Sequence, residues 1–258
     1  MGAQELNIWQ FLAVYLLLII ILFIMQKMKM NQSKLLLIAS IRMTLQLMIA
    51  GVVLQIIFAY PYPALTIAYL IVITAFSIHR MLANSKTLNK KFKFISALSL
   101  VFVAFFILIF FVCGIVGENF FNPQYTITLS GMIVGNAMTG MSLALQGFTD
   151  EMKNKRGQIE SLLNLGVHPK DILRPFIVKA LTGALLPTLN SMLGMGIIFL
   201  PGMMTGQILS GTMPTTAIMY QIAMMISICT AVALSSFCAL YFGHKTLYDD
   251  SMCIQIPQ

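Results

Sequence analysis

Few side chains in this sequence could act as acids, bases, nucleophiles or metal ligands. Its 258 residues include eight Asp or Glu, three His and four Cys. His79, His168 and His244 are far apart in the sequence and stand at the edges of apolar segments. The cysteines lack the spacing of a metal site or of a disulfide framework. We therefore predict neither a catalytic site nor a metal site in this chain, and we do not expect it to be an enzyme.

Polar side chains within the apolar segments indicate a path through a membrane instead. Arg42 is the only basic residue away from the ends of these segments, and Gln46 lies one helical turn further on the same face. A lone Arg at mid-bilayer costs about 2.5–3.5 kcal/mol on insertion scales, so it needs a partner or water. Either Arg42 extends towards the near membrane boundary, or it faces a cavity with Gln46. The other candidates for a pore or substrate path are Asn136, Met138, Asn190, Met203 and Met204.

Methionines and glycines in these segments each allow two interpretations. The chain has 20 Met, and thioethers bind soft metal ions. Methionine is also a flexible apolar filler between helices, which is the interpretation that we favour. Gly131 and Gly135 have the small-xxx-small spacing that lets two membrane helices approach closely. That pair serves either a dimer contact or the packing around a pore.

The composition indicates that these residues lie in membrane-spanning helices. Hydrophobic residues make up 59% of the chain and charged residues 9%, whereas an ordinary soluble domain is about a quarter charged. A stretch of about 20 apolar residues can cross the bilayer as a helix. We predict an all-α integral membrane protein with about seven transmembrane helices in a single permease domain, residues 1–258. The predicted spans are 8–26, 35–59, 64–82, 94–116, 126–148, 181–201 and 217–242.

The charges between the spans predict how the chain is oriented. Basic residues concentrate in alternate gaps, at 27–34, 80–93 and 153–179. Such alternation is typical of basic loops on the cytoplasmic side. We therefore expect the N-terminus outside and the C-terminus inside, with Lys86 and Lys155 in the cytoplasm and Glu118 outside. The net charge of +8 then reflects topology and attraction to lipid headgroups, not a nucleic-acid partner. We expect a multi-pass protein of the cell (plasma) membrane.

The cytoplasmic segment at about 150–180 is predicted to form a pair of short helices. A charged linker precedes an amphipathic helix over 158–165, which ends at Gly166. Glycine readily takes the left-handed conformation that ends a helix. Pro169 suits the first position of the second helix, and Asp171 places negative charge in its first turn. The product is a coupling-helix pair just outside the membrane.

This helix pair resembles the EAA loop of ABC-importer-type permeases, which docks on a separate ATPase subunit. Glu160 and Gly166 have the spacing of that loop, and Pro187 lies downstream, whereas Ser161 and Leu162 depart from its two small residues. A rigid helix pair suits the transmission of a movement between subunits. The sequence has no phosphate-binding loop of its own, so ATP is expected to bind to the partner. The residues assigned to coupling are Glu160, Ser161, Leu163, Gly166, His168, Pro169 and Asp171.

Four further stretches, 42–46, 131–138, 200–206 and 220–222, extend a resemblance over most of the chain. In these the chain resembles the FetB-like permeases of ABC transporters, which are associated with iron export in bacteria and with aluminium tolerance in plants. The resemblance implies a homodimer of this chain, two copies of an ATPase subunit, no cofactor in the chain itself and export of a metal. The predicted spans contain no carboxylate for a hard cation, so a chelated metal or an organic substrate fits at least as well. The alternatives are a secondary transporter or a membrane-embedded enzyme that acts without an ATPase.

Proline and glycine near the end of the sixth span predict a gate or hinge. Pro201, Gly202 and Gly206 interrupt the regular pattern of a helix. Irregular backbone at membrane depth is tolerated only against protein or water. We hypothesise that Gly202–Gln207 is an irregular hinge or re-entrant turn at the outer gate. The alternative is an ordinary outer loop.

Overall fold

The computed structural model describes residues 7–30, 32–83, 87–248 and 254. Lys86, one of the predicted cytoplasmic charges, lies outside the described residues. The α-helices of the described part are α1 Ile8–Lys27, α2 Ser33–Ala59, α3 Pro63–Ala83, α4 Lys90–Ile109, α5 Pro123–Asn154, α6 Arg156–Asn164, α7 Pro169–Gly194, α8 Gly202–Leu209 and α9 Pro214–Gly243. A π-helical segment, Phe110–Val116, continues directly from α4.

Seven helices of the described part are long and apolar enough to cross a membrane. They are α1 to α5, α7 and α9, and each corresponds to one predicted span. Apart from two isolated bridges, the described residues form no β-structure. The prediction of an all-α membrane protein with seven spans is therefore confirmed.

The core of the molecule is a bundle of five spanning helices. α5 and α9 pack against each other in the centre, and α3, α4 and α7 pack around them. Large side chains such as Phe92, Phe111 and Phe148 are fully buried between these helices. α1 and α2 contact the bundle little, and most of their described side chains are exposed. In a membrane these two apolar helices present most of their surface to lipid.

Two glycines allow the central helices to approach closely. Gly140 of α5 lies against the side chain of Val232 in α9. A Cβ atom at Gly243 would stand 2.7 Å from the ring of Phe92. Small residues at helix crossings permit the close packing that holds membrane helices together. Sequence spacing alone did not identify either position.

Replacing Gly140 with leucine is expected to destabilise the folded bundle. The new side chain would occupy the space of Val232, and overpacking of a tight core costs about 1–3 kcal/mol or more. We expect a lower yield of monodisperse protein in detergent and a lower melting temperature. Gly51→Leu on α2 is the matched control, because a Cβ at Gly51 would meet nothing within 4 Å. Equal melting temperatures of the two variants would contradict the close α5–α9 contact.

The predicted charged linker at the start of the cytoplasmic segment is helical instead. α5 continues through it to Asn154, and Thr149 and Met152 are buried on its inner side. Glu151 joins this extension to α7, since its carboxylate lies 2.6 Å from Nζ of Lys179. Charged residues indicate exposure to water, but an amphipathic helix also carries them on its outer face. The prediction of a non-helical linker was therefore wrong.

The second helix of the predicted pair is also not a separate short helix. It begins at Pro169, as predicted, but it continues without a break to Gly194 and so includes the sixth span. Pro175 and Pro187 lie inside it. A proline removes one helical hydrogen bond, and the helix continues through both positions. The pair therefore consists of the short helix α6 and the end of a spanning helix.

The irregular backbone near the sixth span lies earlier than predicted. α7 ends at Gly194, and residues 195–201 form a loop. Gly196 has a φ of +83°, and its N–H donates to the carbonyl of Phe199 over 2.9 Å. Only glycine adopts this left-handed conformation without steric cost. The sixth span is therefore shorter at this end than the prediction of 181–201.

The predicted hinge itself is a regular helix. Gly202 and Gly206 both lie within α8, and Pro201 precedes it in an extended conformation as the N-cap residue. A Cβ at either glycine would meet no atom within 4 Å. The hypothesis of an irregular Gly202–Gln207 was wrong because a short helix tolerates glycine at a cost of about 1 kcal/mol per residue. A gating role for α8 stays a prediction.

The orientation of the chain can be tested by cysteine labelling. In a variant without its native cysteines, we expect a Cys at position 118 to react with an impermeant maleimide from outside the cell. A Cys at position 155 should react only after permeabilisation, because Lys155 belongs to a basic loop. Both side chains reach solvent in the structure. Labelling of position 155 from outside would contradict the predicted topology.

Candidate functional site

The cytoplasmic turn after α6 is fixed by a helix-ending hydrogen-bond pattern. Gly166 has a φ of +80°, as predicted. Its N–H donates to the carbonyl of Leu163 over 2.9 Å, and the N–H of Val167 donates to that of Leu162 over 3.1 Å. This pair of bonds is the Schellman motif, which satisfies the free carbonyls at the end of a helix. The turn is thus a rigid structure and not a flexible loop.

The start of α7 is fixed equally well. Pro169 is its first residue and Asp171 lies in its first turn, both as predicted. His168 is the N-cap residue, and its Nδ1 accepts a hydrogen bond from the N–H of Lys170 over 3.2 Å. The His168 ring also contacts the ring of Tyr248, with 6.2 Å between centroids. The segment that follows α9 therefore supports the same turn.

The two sides of α6 have different surroundings. Ile159 is fully buried, and Leu163, a predicted coupling residue, packs half-buried against the core. Glu160 and Ser161 are exposed, and Arg156 holds Glu160 through an ion pair of 2.7 Å. The inner side thus anchors the helix, and the outer side is available to a partner.

Leu165 is a feature of this surface that the sequence analysis missed. Its side chain is 78% exposed at the tip of the turn, between α6 and Gly166. An exposed leucine at a rigid tip is the kind of apolar anchor that binds in a pocket of a partner. The signal in the sequence was an apolar residue directly before a helix-ending glycine.

A polar face runs along the membrane-spanning part of the bundle. We use this name for four exposed polar residues on one side of α5 and two half-exposed ones of α7 beside them, which are Thr128, Asn136, Thr139, Gln146, Thr188 and Ser191. Asn136 was predicted as a path residue from the sequence. Asn190, also predicted, is exposed on a different side of α7, because neighbouring residues of a helix point about 100° apart. Most of the hydroxyls donate to carbonyls of their own helices, as Thr139 does to Gly135 over 2.9 Å. Such bonds let Ser and Thr face lipid, but the amide side chains retain unpaired groups.

A cleft of about 100 Å³ lies where α5 and α7 meet on this face. Its polar lining comes from Asn136, Thr139, Thr188 and Ser191. The rest of the lining is apolar and consists of Gly140, Leu143, Ala184, Pro187 and Met225. Met138, a predicted path residue, is half-buried against the core instead and does not line the cleft. The structure therefore brings together one predicted residue with three hydroxyl residues that were not predicted.

A second cavity, of about 330 Å³, lies between α5, α8 and α9. Thr128 of the polar face lines it together with Met203, Gln207 and Tyr220. The Oε1 atom of Gln207 is buried and has no hydrogen-bond partner among the described residues. Met204, the neighbouring predicted path residue, points into the protein and is 8% exposed.

Arg42 and Gln46 lie on α2, away from the cleft. Both side chains are exposed, and neither lines the cleft. The guanidinium of Arg42 lies over the ring of Phe76 in α3, 5.6 Å from its centroid. A cation over an aromatic face is stabilised by about 0.5–1 kcal/mol or more. This contact offsets part of the cost of an Arg within a spanning helix.

The spanning helices and the polar face define a multi-pass protein of the cell membrane. The chain belongs to the family described as the uncharacterised protein family UPF0014, which matches residues 8–248. It is 31% identical to the UPF0014 membrane protein YjkA of Bacillus subtilis, over 89% of this chain and 91% of that protein. It is 30% identical to the probable iron export permease protein FetB of Escherichia coli, over 96% and 95% respectively.

A plant relative matches a shorter part of the chain. The protein ALUMINUM SENSITIVE 3 of Arabidopsis thaliana is 34% identical over 52% of this chain and 50% of its own length. None of the solved structures matches the chain significantly. The predicted resemblance to FetB-like permeases is confirmed, and the chain belongs to a membrane protein family that has a named permease among its members.

Proposed function

We propose that this chain is the membrane-embedded permease subunit of an ABC transporter. Two copies of the chain form the path, and two copies of a separate ATPase subunit bind and hydrolyse ATP. The chain itself holds no cofactor and catalyses no reaction. By its similarity to the Escherichia coli relative, the transported substrate is a metal, namely iron, and the direction is export.

The observation that carries this proposal is the continuity of α7. One helix of 26 residues connects the rigid cytoplasmic turn to the cleft on the polar face. Pro169 and Pro187 are 18 residues apart in it, which corresponds to about 27 Å along the axis. A push on the turn by an ATPase subunit would therefore move one wall of the cleft directly. A packed helix transmits such a movement because it shifts as a unit.

The polar face supports the homodimer. Asn136 and Gln146 are exposed on α5, and amide groups that lack part of their hydrogen bonds are costly in hydrocarbon. A second copy that covers this face would remove these groups from lipid and enclose the cleft. A path between two copies then needs no other protein to line it.

The class of transporter can be tested by reconstitution. The chain should copurify with an ABC ATPase subunit from its own cell, and together in inside-out vesicles they should accumulate ferrous iron when ATP is added. ATP without the ATPase, and the ATPase without this chain, are the controls. Iron transport that needs no ATPase would instead indicate a secondary transporter, because the energy would then come from an ion gradient.

A further inference from the structure

The hydrogen bonds of the cleft leave it with a particular chemistry. Thr139 donates its hydroxyl hydrogen to Gly135 over 2.9 Å, and Ser191 donates its own to Pro187 over 3.0 Å. A hydroxyl group has one hydrogen and two lone pairs. Both hydroxyls therefore present lone pairs to a ligand and have no further hydrogen to donate.

Asn136 adds a third acceptor to the cleft. It donates one Nδ2 hydrogen to the carbonyl of Met132 over 2.8 Å, and its amide oxygen has no bond within the described chain. Its second Nδ2 hydrogen and the hydroxyl of Thr188 can donate as well, so the lining is neutral and rich in oxygen. Neutral oxygen acceptors thus come from both helices.

From this arrangement we infer that the cleft binds a divalent cation through its shell of bound water. This inference rests on the proposed function and names how the substrate is recognised. The cleft has no charged lining residue, whereas a divalent cation stripped of its water is normally held by carboxylates, which offset the loss of hydration. A hydrated cation keeps that stabilisation, and its water molecules donate hydrogen bonds outward. The hydroxyl oxygens of Thr139 and Ser191, whose own hydrogens are already bonded, can accept these hydrogen bonds.

Outer-sphere recognition also suits transport. A site made of neutral oxygens binds more weakly than one made of carboxylates, and a transported ion must leave as well as enter. Among the described residues no cluster of three or more His, Cys, Asp or Glu is placed to hold a metal directly. The water shell therefore mediates every contact between the cation and the cleft.

Binding of two probes to the purified permease, without ATPase, tests this inference. Hexaamminecobalt(III) is an exchange-inert cation whose fixed shell donates hydrogen bonds and cannot be replaced by protein ligands. We expect it to compete with Mn²⁺, whose binding can be followed by electron paramagnetic resonance. Thr139→Val combined with Ser191→Ala should weaken both probes roughly tenfold or more, because two acceptors of charge-assisted bonds are lost. Thr182→Val is the matched control, since Thr182 bonds Val178 in the same way but does not line the cleft.

Three results would overturn the inference. If hexaamminecobalt(III) fails to displace Mn²⁺, then protein groups coordinate Mn²⁺ directly and not through its water shell. If the double variant and the wild type bind the probes with equal affinity, the cation site lies outside the cleft. If neither probe binds to the wild type, the permease has no such site. Because the assay needs no ATP, it is independent of the proposed function. If vesicles with the ATPase do not transport iron, but the double variant loses both probes, the cleft assignment stands and the transporter proposal fails.

Discussion

Replacing Gly166 with proline is expected to abolish ATP-driven transport while the chain still inserts and folds. Proline cannot adopt the φ of +80° found at this position, and it removes the N–H that bonds Leu163. If proline raises the free energy of the native turn by about 3 kcal/mol, the population of that turn falls about one-hundredfold. The turn lies outside the five-helix bundle, so the spans should be unaffected. Transport in vesicles and the ATPase rate of the complex, with and without substrate, measure the effect.

Gly166→Asn is the matched control for this variant. Asparagine tolerates the left-handed conformation better than other residues with a side chain, and a Cβ at position 166 would meet no atom within 4 Å. We expect it to retain most of the transport activity. If the proline variant stimulates its ATPase and transports like the asparagine variant, the turn does not couple the two subunits.

The exposed tip of the same turn gives a more local test. Leu165→Asp should weaken copurification with the ATPase by roughly thirtyfold or more, as for the loss of an interface residue worth about 2 kcal/mol. Gln158→Ala is the matched control, because Gln158 is also exposed on α6 but is not among the residues assigned to coupling. That variant should bind normally. Equal binding by both would show that Leu165 is not an anchor.

The spans were predictable because each one is a local property of the sequence. Apolar length and the charges at the ends identify a spanning helix without knowledge of its neighbours. The Gly166 turn and the start of α7 were predictable for a similar reason, since glycine, proline and aspartate each have strong local preferences. The limits of α5 and α7 were not, because contacts between helices, such as Glu151 with Lys179, extend a helix beyond its apolar part.

The cleft could be predicted only in part because it depends on which faces of two helices meet. Asn136 was identified as an unusual polar residue in an apolar helix. Thr139 and Ser191 were not, because serine and threonine are common in membrane helices and usually bond their own backbone. The proximity of Thr139 to Ser191 and Pro187 follows from the packing of α5 on α7. The helical α8 was missed because two glycines and a proline suggested a break, although neither glycine has a left-handed φ.

The second large effect is expected at Gly135, which lies on the polar face one turn before Thr139. A Cβ at Gly135 would meet no atom within 4 Å, so a larger side chain fits within a single copy. In the proposed homodimer this face meets a second copy, and glycine would allow a close approach. Gly135→Leu should therefore cost about 1–3 kcal/mol at each copy of the interface. We expect most of the protein to be monomeric by light scattering and transport to fall by roughly tenfold or more.

Gly51→Leu separates this effect from a general effect of leucine in a membrane helix. Gly51 lies on α2, is exposed and also has no atom within 4 Å of an added Cβ, but α2 is not part of the polar face. That variant should remain dimeric and transport at the wild-type rate. Gly135→Ala should have an intermediate effect on dimerisation and transport, because the distance between the two copies limits the side-chain volume that fits in the interface. If Gly135→Leu stays dimeric and active like Gly51→Leu, then the polar face does not meet a second copy. The unpaired amide oxygen of Asn136 would in that case need another partner in the membrane.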